Sequence, residues 1–449
     1  MFSPHDISYY IISLGCSKNL VDSEYVNGSL LEAGFSPSET SEDADIIIIN
    51  TCGFINDAKE ESIDVILEAL DLKLANAPRW KGFIENGIIS RREFGVKVVA
   101  TGCLTQRYYD EIGKEIPEID FLYGLPDAEF ALRMCEALGI SRPLSGGTVR
   151  EPLTPGLPYA YLKISEGCSN NCSYCAIPLI RGPHRPLSPE EIMRDAEQAA
   201  SRGAVELNII AQDIAAYNWK GKGLVEIVDM VSSINGVQWI RLLYCHPDHC
   251  TDELIDCIGE NEKVVRYIDI PFQHASGSIL RSMNRKGNRE IYLDLVEKLR
   301  ARVPGIRIRS TFMVGYPGEG DADFRELMDF IREARLDRVG AFIYSPEEDT
   351  AACGLPGRVP EKVSRKRYEE LMRVQKEISE ERLSGLVGTE VDVLVEERYD
   401  EETLIGRSEF DAPEVDGIFY LTAAEDGSNP IVRARVTDSI EHDLIGEII

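Results

Sequence analysis

Residues 159–343 repeat one pattern six times, a short strand-like run followed by a stretch of helical period. The runs fall at 159–164, 204–210, 239–243, 264–270, 305–311 and 338–343, and segments such as 188–202 and 290–302 space their apolar residues three and four apart. Strands that alternate with helices in this way pair in parallel. Eight such units close a barrel and six do not, so the pattern predicts a partial (β/α)6 barrel with its chemistry at the carboxyl ends of the strands.

Directly after the first run comes EGCSNNCSYCAIPLIRG, residues 166–182, with Cys168, Cys172 and Cys175 separated by three and then two residues. Three thiolates on one short loop can hold zinc with a fourth ligand from elsewhere. They can equally hold three irons of a four-iron cubane whose last iron stays open to a substrate. The bacterial ferredoxin run has two residues in both of these gaps and is a different arrangement. With Tyr174 placed before the last cysteine, the spacing resembles the signature of radical S-adenosylmethionine (SAM) enzymes. That resemblance implies a 4Fe-4S cluster on these three cysteines with SAM at the open iron, and Tyr174 packed on adenine. By the same analogy Glu206, Gln212, Gln273 and Arg309, polar groups of the later strands, are expected to contact SAM.

The first 140 or so residues carry three further apolar runs, at 9–14, 46–49 and 96–100, and each is followed closely by a cysteine: Cys16, Cys52 and Cys103. Helical stretches at 21–33 and 58–74 separate the strands, which predicts an open parallel α/β sheet. Ligands of such sheets bind beyond the carboxyl ends of the strands. The cysteines have 35 and 50 residues between them, so only the fold can make them a set. A lone cysteine of this kind is ordinarily core. Three at equivalent strand ends, beside Gly15, Gly53 and Gly102, point to a second iron–sulfur cluster with backbone close to its sulfurs.

Length and charge narrow the class. A chain of 449 residues divides into two to four domains. Its 48 basic and 77 acidic residues give a net charge of −29, which argues against a general nucleic-acid surface and for a basic partner. Eleven cysteines, no secretory leader pattern and no long apolar span indicate a cytoplasmic protein without a membrane segment, whose cysteines are metal or redox ligands. Cys135, Cys257 and Cys353 read as ordinary packing. The run YCHPDHC at 244–250 is too compressed and too stiff at Pro247 for a zinc knuckle. The stretch 76–95 lengthens one connection as a surface excursion.

After an amphipathic helix at 365–382 the pattern turns to five short β runs, at 390–395, 404–409, 417–421, 431–436 and 443–449. These suggest a small five-stranded barrel of the TRAM kind. Residues 385–449 contain 17 acidic and 4 basic side chains, a net of −13, which repels phosphate and attracts a lysine- and arginine-rich protein.

In order along the chain, SLGCSKNLVDSE, NTCGFINDAKEESI, TGCLTQRY, the cysteine loop with AIPLIRG, and GRSEFDAPEVDG resemble the methylthiotransferases. The match is strongest to the RimO branch, which acts on ribosomal protein S twelve. The resemblance implies three domains, at 7–143, 154–384 and 385–449. It also implies two 4Fe-4S clusters, SAM, and an electron donor such as flavodoxin or ferredoxin. The implied reaction adds a methylthio group to the β-carbon of one aspartate. Two rivals are a tRNA methylthiotransferase of the sister branch, against which the acidic tail counts, and a non-catalytic iron–sulfur carrier.

Overall fold

The computed structural model describes residues 7–76, 95–140, 149–422 and 429–449. Residues 77–94, nearly all of the long connection noted in the sequence, lie outside them. Where three domains are expected, contacts divide the chain into two compact units. Met1–Pro155 joins with Ala176–Gly182, and Gly156–Cys175 joins with Pro183–Ile449. The tail therefore packs with the central domain as one unit.

In the first unit, β1 (Ser8–Ser13), β2 (Ser36–Pro37), β3 (Ile46–Thr51), β4 (Lys97–Gly102) and β5 (Phe121–Leu122) form a sheet in the order β2-β1-β3-β4-β5. Every pairing is parallel. All six residues of β3 are buried, as a central strand covered on both faces requires. Ile46 and Ile48 pack with Val26, Leu30 and Phe130 on one face, and Ile47 and Ile49 pack with Ile66 and Leu70 on the other.

In the second unit, β6 (Tyr159–Lys163) leads into a two-stranded pairing of β7 (Ser165–Glu166) with β8 (Arg185–Pro186). Then follow β9 (Glu206–Ile210), β10 (Trp239–Leu242), β11 (Val264–Asp269), β12 (Arg307–Val314) and β13 (Arg338–Ile343). They form the open parallel sheet β13-β12-β11-β10-β9-β6. Helices follow the expected places, and the one at Pro189–Ser201 starts with a capping box between Ser188 and Glu191.

The helix Glu361–Ser384 leads to β14 (Glu390–Arg398), β15 (Thr403–Ser408), β16 (Phe419–Thr422), β17 (Ile431–Ile440) and β18 (Asp443–Ile448), which close a barrel in the order β14-β15-β16-β18-β17. The segment between β15 and β16 turns its polar groups into the larger sheet. Arg241 Nη1 donates to the Glu409 carbonyl at 2.8 Å, Arg338 Nη2 lies 2.5 Å from Asp411 Oδ1, and Tyr267 Oη donates to Asp416 at 2.6 Å.

This network includes two residues expected to contact SAM. Glu206 opens β9, and its two oxygens accept from Arg241 Nε at 2.7 Å and Arg407 Nη2 at 2.5 Å, with the carboxylate fully buried. Arg309 donates to Asp416 at 3.2 Å and Asp269 at 3.3 Å. Both take part in the packing of sheet against tail. A buried charge has to be paired, and here the partners come from 201 and 107 residues away.

Candidate functional site

The first unit builds its site from register. Ser13, Asn50 and Thr101 are in line across β1, β3 and β4, and Cys16, Cys52 and Cys103 follow them by three, two and two residues. The three thiols therefore emerge at the same edge of the sheet. Cys16 precedes the helix Ser17–Glu32 and is exposed, whereas Cys52 and Cys103 are buried. Two of the neighbouring glycines are required by close approach. A Cβ on Gly15, which has φ +89°, would stand 2.8 Å from Cys52 Sγ, and one on Gly53 would stand 2.7 Å from Leu104 Cα. Burial pushes the Cys52 thiol up, and pushes Cys103 up to about 12. Buried thiols become ligands when a metal or cation favours the thiolate, and the donor set with its tight backbone cradle fits a cubane bound through three sulfurs.

Asn19 ties these loops together. Its Nδ2 donates to the Leu14 carbonyl at 2.9 Å and the Thr51 carbonyl at 3.0 Å, while its Oδ1 accepts from Cys103 Sγ at 3.4 Å. Arg181, from the segment after the second cysteine loop, packs here too. Sequence reasoning passed over both residues.

In the second unit, Cys168, Cys172 and Cys175 lie half-buried on the loop that leaves β7. The Cys175 amide donates to the Cys172 carbonyl at 3.0 Å, which folds the last gap into a tight turn. The loop is pinned from outside by Ser173 N to the Met283 carbonyl at 3.0 Å and by Asn284 Nδ2 to the Asn171 carbonyl at 2.9 Å. Arg285, buried, reaches Cys172 Sγ at 3.7 Å and the Pro271 carbonyl at 2.7 Å. Burial raises the Cys168 thiol, and the Asn170 amide beside it works the other way. Three half-exposed sulfurs on a rigid turn at the carboxyl end of the first strand fit a cluster that leaves one iron open.

The remaining expected contacts divide by environment. Tyr174 packs partly buried against the barrel core, and burial raises its hydroxyl well above the usual range. Gln212 Nε2 donates to Glu166 Oε1 at 3.0 Å, leaving Gln212 Oε1 as a buried acceptor without a donor among the described residues. Gln273, at φ +70°, likewise has a buried Oε1 without a donor there. His274 is fully buried and its Nδ1 accepts from the Ser276 amide at 2.9 Å, a turn role.

Asp213 is a hub beside the cysteine loop. Its Oδ2 accepts from Asn170 at 2.8 Å and lies 2.7 Å from His249 Nδ1, and its Oδ1 accepts from the Ala215 and His246 amides at 3.2 Å. Asp213, His246 and His249 could offer ligand atoms within 4.8 Å of one another. Both carboxylate oxygens are already used, however, so the group acts as a strut that orients Asn170 and the loop.

Residues 162–331 match the radical SAM superfamily, residues 8–124 the uncharacterized protein family UPF0004, and residues 387–449 the TRAM domain. Curated relatives include the ribosomal protein uS12 methylthiotransferase RimO of Syntrophotalea carbinolica, 42% identical over 98% of this chain and 96% of the relative. Its namesake in Geobacter sulfurreducens is 42% identical over 98% of each chain. Among solved structures, the radical SAM methyltransferase TsrM of Kitasatospora setae, with cobalamin and a 4Fe-4S cluster bound, superposes at a TM-score of 0.54. It shares 14% identity and covers 78% of this chain and 77% of that one, a likeness of fold.

Proposed function

Because the chain belongs to the RimO family of radical SAM methylthiotransferases, we propose that it adds a methylthio group to the β-carbon of one aspartate of ribosomal protein uS12. The work is done in the cytoplasm with electrons from a flavodoxin- or ferredoxin-like donor. When bound, two 4Fe-4S clusters and SAM supply the hydrogen-abstracting radical and the methylated sulfur.

The protein's own residues hold and orient. Cys168, Cys172 and Cys175 hold the radical-generating cluster, with Arg285 donating toward one ligand sulfur and Asn170 braced by Asp213. Tyr174 flanks SAM, and the free acceptors of Gln212 and Gln273 take its donor groups. Cys16, Cys52 and Cys103 hold the second cluster, where sulfur is carried. Hydrogen abstraction by a radical needs no general base, which agrees with a site of ligands and struts.

The observation that carries this reading is the pair of cysteine triads, each at the carboxyl edge of its own parallel sheet. The relatives' names favour a ribosomal protein over tRNA as substrate, and the acidic tail agrees. The deciding experiment replaces Cys168, Cys172 and Cys175 together by Ala in the anaerobically reconstituted protein. Iron per chain should fall by about half and 5′-deoxyadenosine formation should cease. Unchanged iron content would overturn the assignment.

A further inference from the structure

The site of Cys16, Cys52 and Cys103 contains a buried guanidinium that the reaction as described does not use. Arg181 follows the short helix Ile177–Ile180, and Ile180 and the N-cap residue Ala176 pack against Cys103. Its side chain is 2% exposed. From there Nη2 donates to Asn19 Oδ1 at 2.7 Å and to Asp22 Oδ2 at 2.8 Å, and lies 3.3 Å from Cys103 Sγ. Asn19 is the residue whose other amide atom braces the loops of Cys16 and Cys52. One cation is thus wired to the sulfur of a ligand, to the strut that aligns all three ligands, and to the buried carboxylate of Asp22.

A positive charge buried this close to a cluster ligand favours the more negative, reduced state, because the low local dielectric leaves the interaction weakly screened. A hydrogen bond to a ligating sulfur acts in the same direction. A carboxylate on the far side of the cation opposes both.

We propose that Arg181 is a positioning residue of this second centre: it orients Cys103 Sγ and raises the reduction potential of the cluster held there, and Asp22 is the counter-charge that limits the rise. The inference rests on the reading of Cys16, Cys52 and Cys103 as cluster ligands. It predicts that two neighbouring substitutions shift one potential in opposite directions, which loss of packing alone does not do.

The test uses the full chain with Cys168, Cys172 and Cys175 replaced by Ala, so that one cluster remains, titrated anaerobically with dithionite and followed by electron paramagnetic resonance. Arg181→Met should shift the midpoint down, Arg181→Lys should restore part of the shift, and Asp22→Asn should shift it up. Shifts of the same sign for Arg181→Met and Asp22→Asn, or none in either, would overturn the proposal. Should Arg181→Met fail to retain iron, Asp22→Asn decides by itself, since it keeps the arginine: an unchanged or lowered midpoint rejects the idea. Absence of any cluster from the parent protein would instead defeat the reading on which the proposal rests.

Discussion

Replacing Glu206 by Ala tests whether the tail and the large sheet are held together electrostatically. The substitution leaves Arg241, fully buried, and Arg407, 2% exposed, facing an empty position. Removing one partner from a buried ion pair costs about 3–5 kcal/mol. The lower end applies here, because Arg407 keeps Glu396 at 2.6 Å and Arg241 keeps the Glu409 carbonyl and the face of Tyr267. At roughly 2 °C per kcal/mol for a large domain, a loss of about 3 kcal/mol lowers the melting midpoint by about 6 °C. Burial raises the Glu206 carboxyl, but Arg407 and Arg241 together bring it below its ordinary value. Its contribution is therefore present above the ordinary carboxylate pKa and lost as pH falls through the lower folded value, so the gap between parent and variant should narrow in acid. Thermal melts of the anaerobically purified proteins across pH provide the measurement. Cleavage of SAM per folded molecule should be unchanged. A variant as stable as the parent that binds SAM poorly would refute the reasoning and return Glu206 to the ligand set.

Replacing Cys16, Cys52 and Cys103 by Ala should leave 5′-deoxyadenosine formation largely intact while abolishing methylthio transfer, as read by product mass on uS12; loss of both in a folded variant would count against separate roles. Changing the exposed Glu397, Glu401 and Glu402 to Gln should slow association with uS12 at low salt and leave it nearly unchanged at high salt. Equal association rates at low salt would show that these charges do not steer the partner.

The strands were legible because burial on both faces writes itself as unbroken apolar runs, and β3 is the clearest instance. The cysteine edge was legible for a related reason, since parallel register puts residues two or three past each strand at one end. The ion pairs of Glu206 and Arg309 were not legible, because a charge inside a strand looks the same whether it faces a ligand or a distant arginine or aspartate. What distinguishes them is the tail segment 409–417, and no local pattern announces where that segment docks. Arg181 was invisible for the same physical cause: its partners Asn19 and Asp22 lie 162 and 159 residues earlier.

The docked segment between β15 and β16 also limits how this chain can be recombined. Arg338 and Arg309 of the sheet are matched to Asp411 and Asp416 of the tail, and Arg407 of the tail to Glu206 of the sheet, so charges have been exchanged in both directions. A small barrel transplanted from another protein would arrive without its half of the exchange and leave buried charges on each side. The two pieces fit as a lock and its key, and a working chimera has to carry GRSEFDAPEVDG together with Glu206 and the arginines it fits.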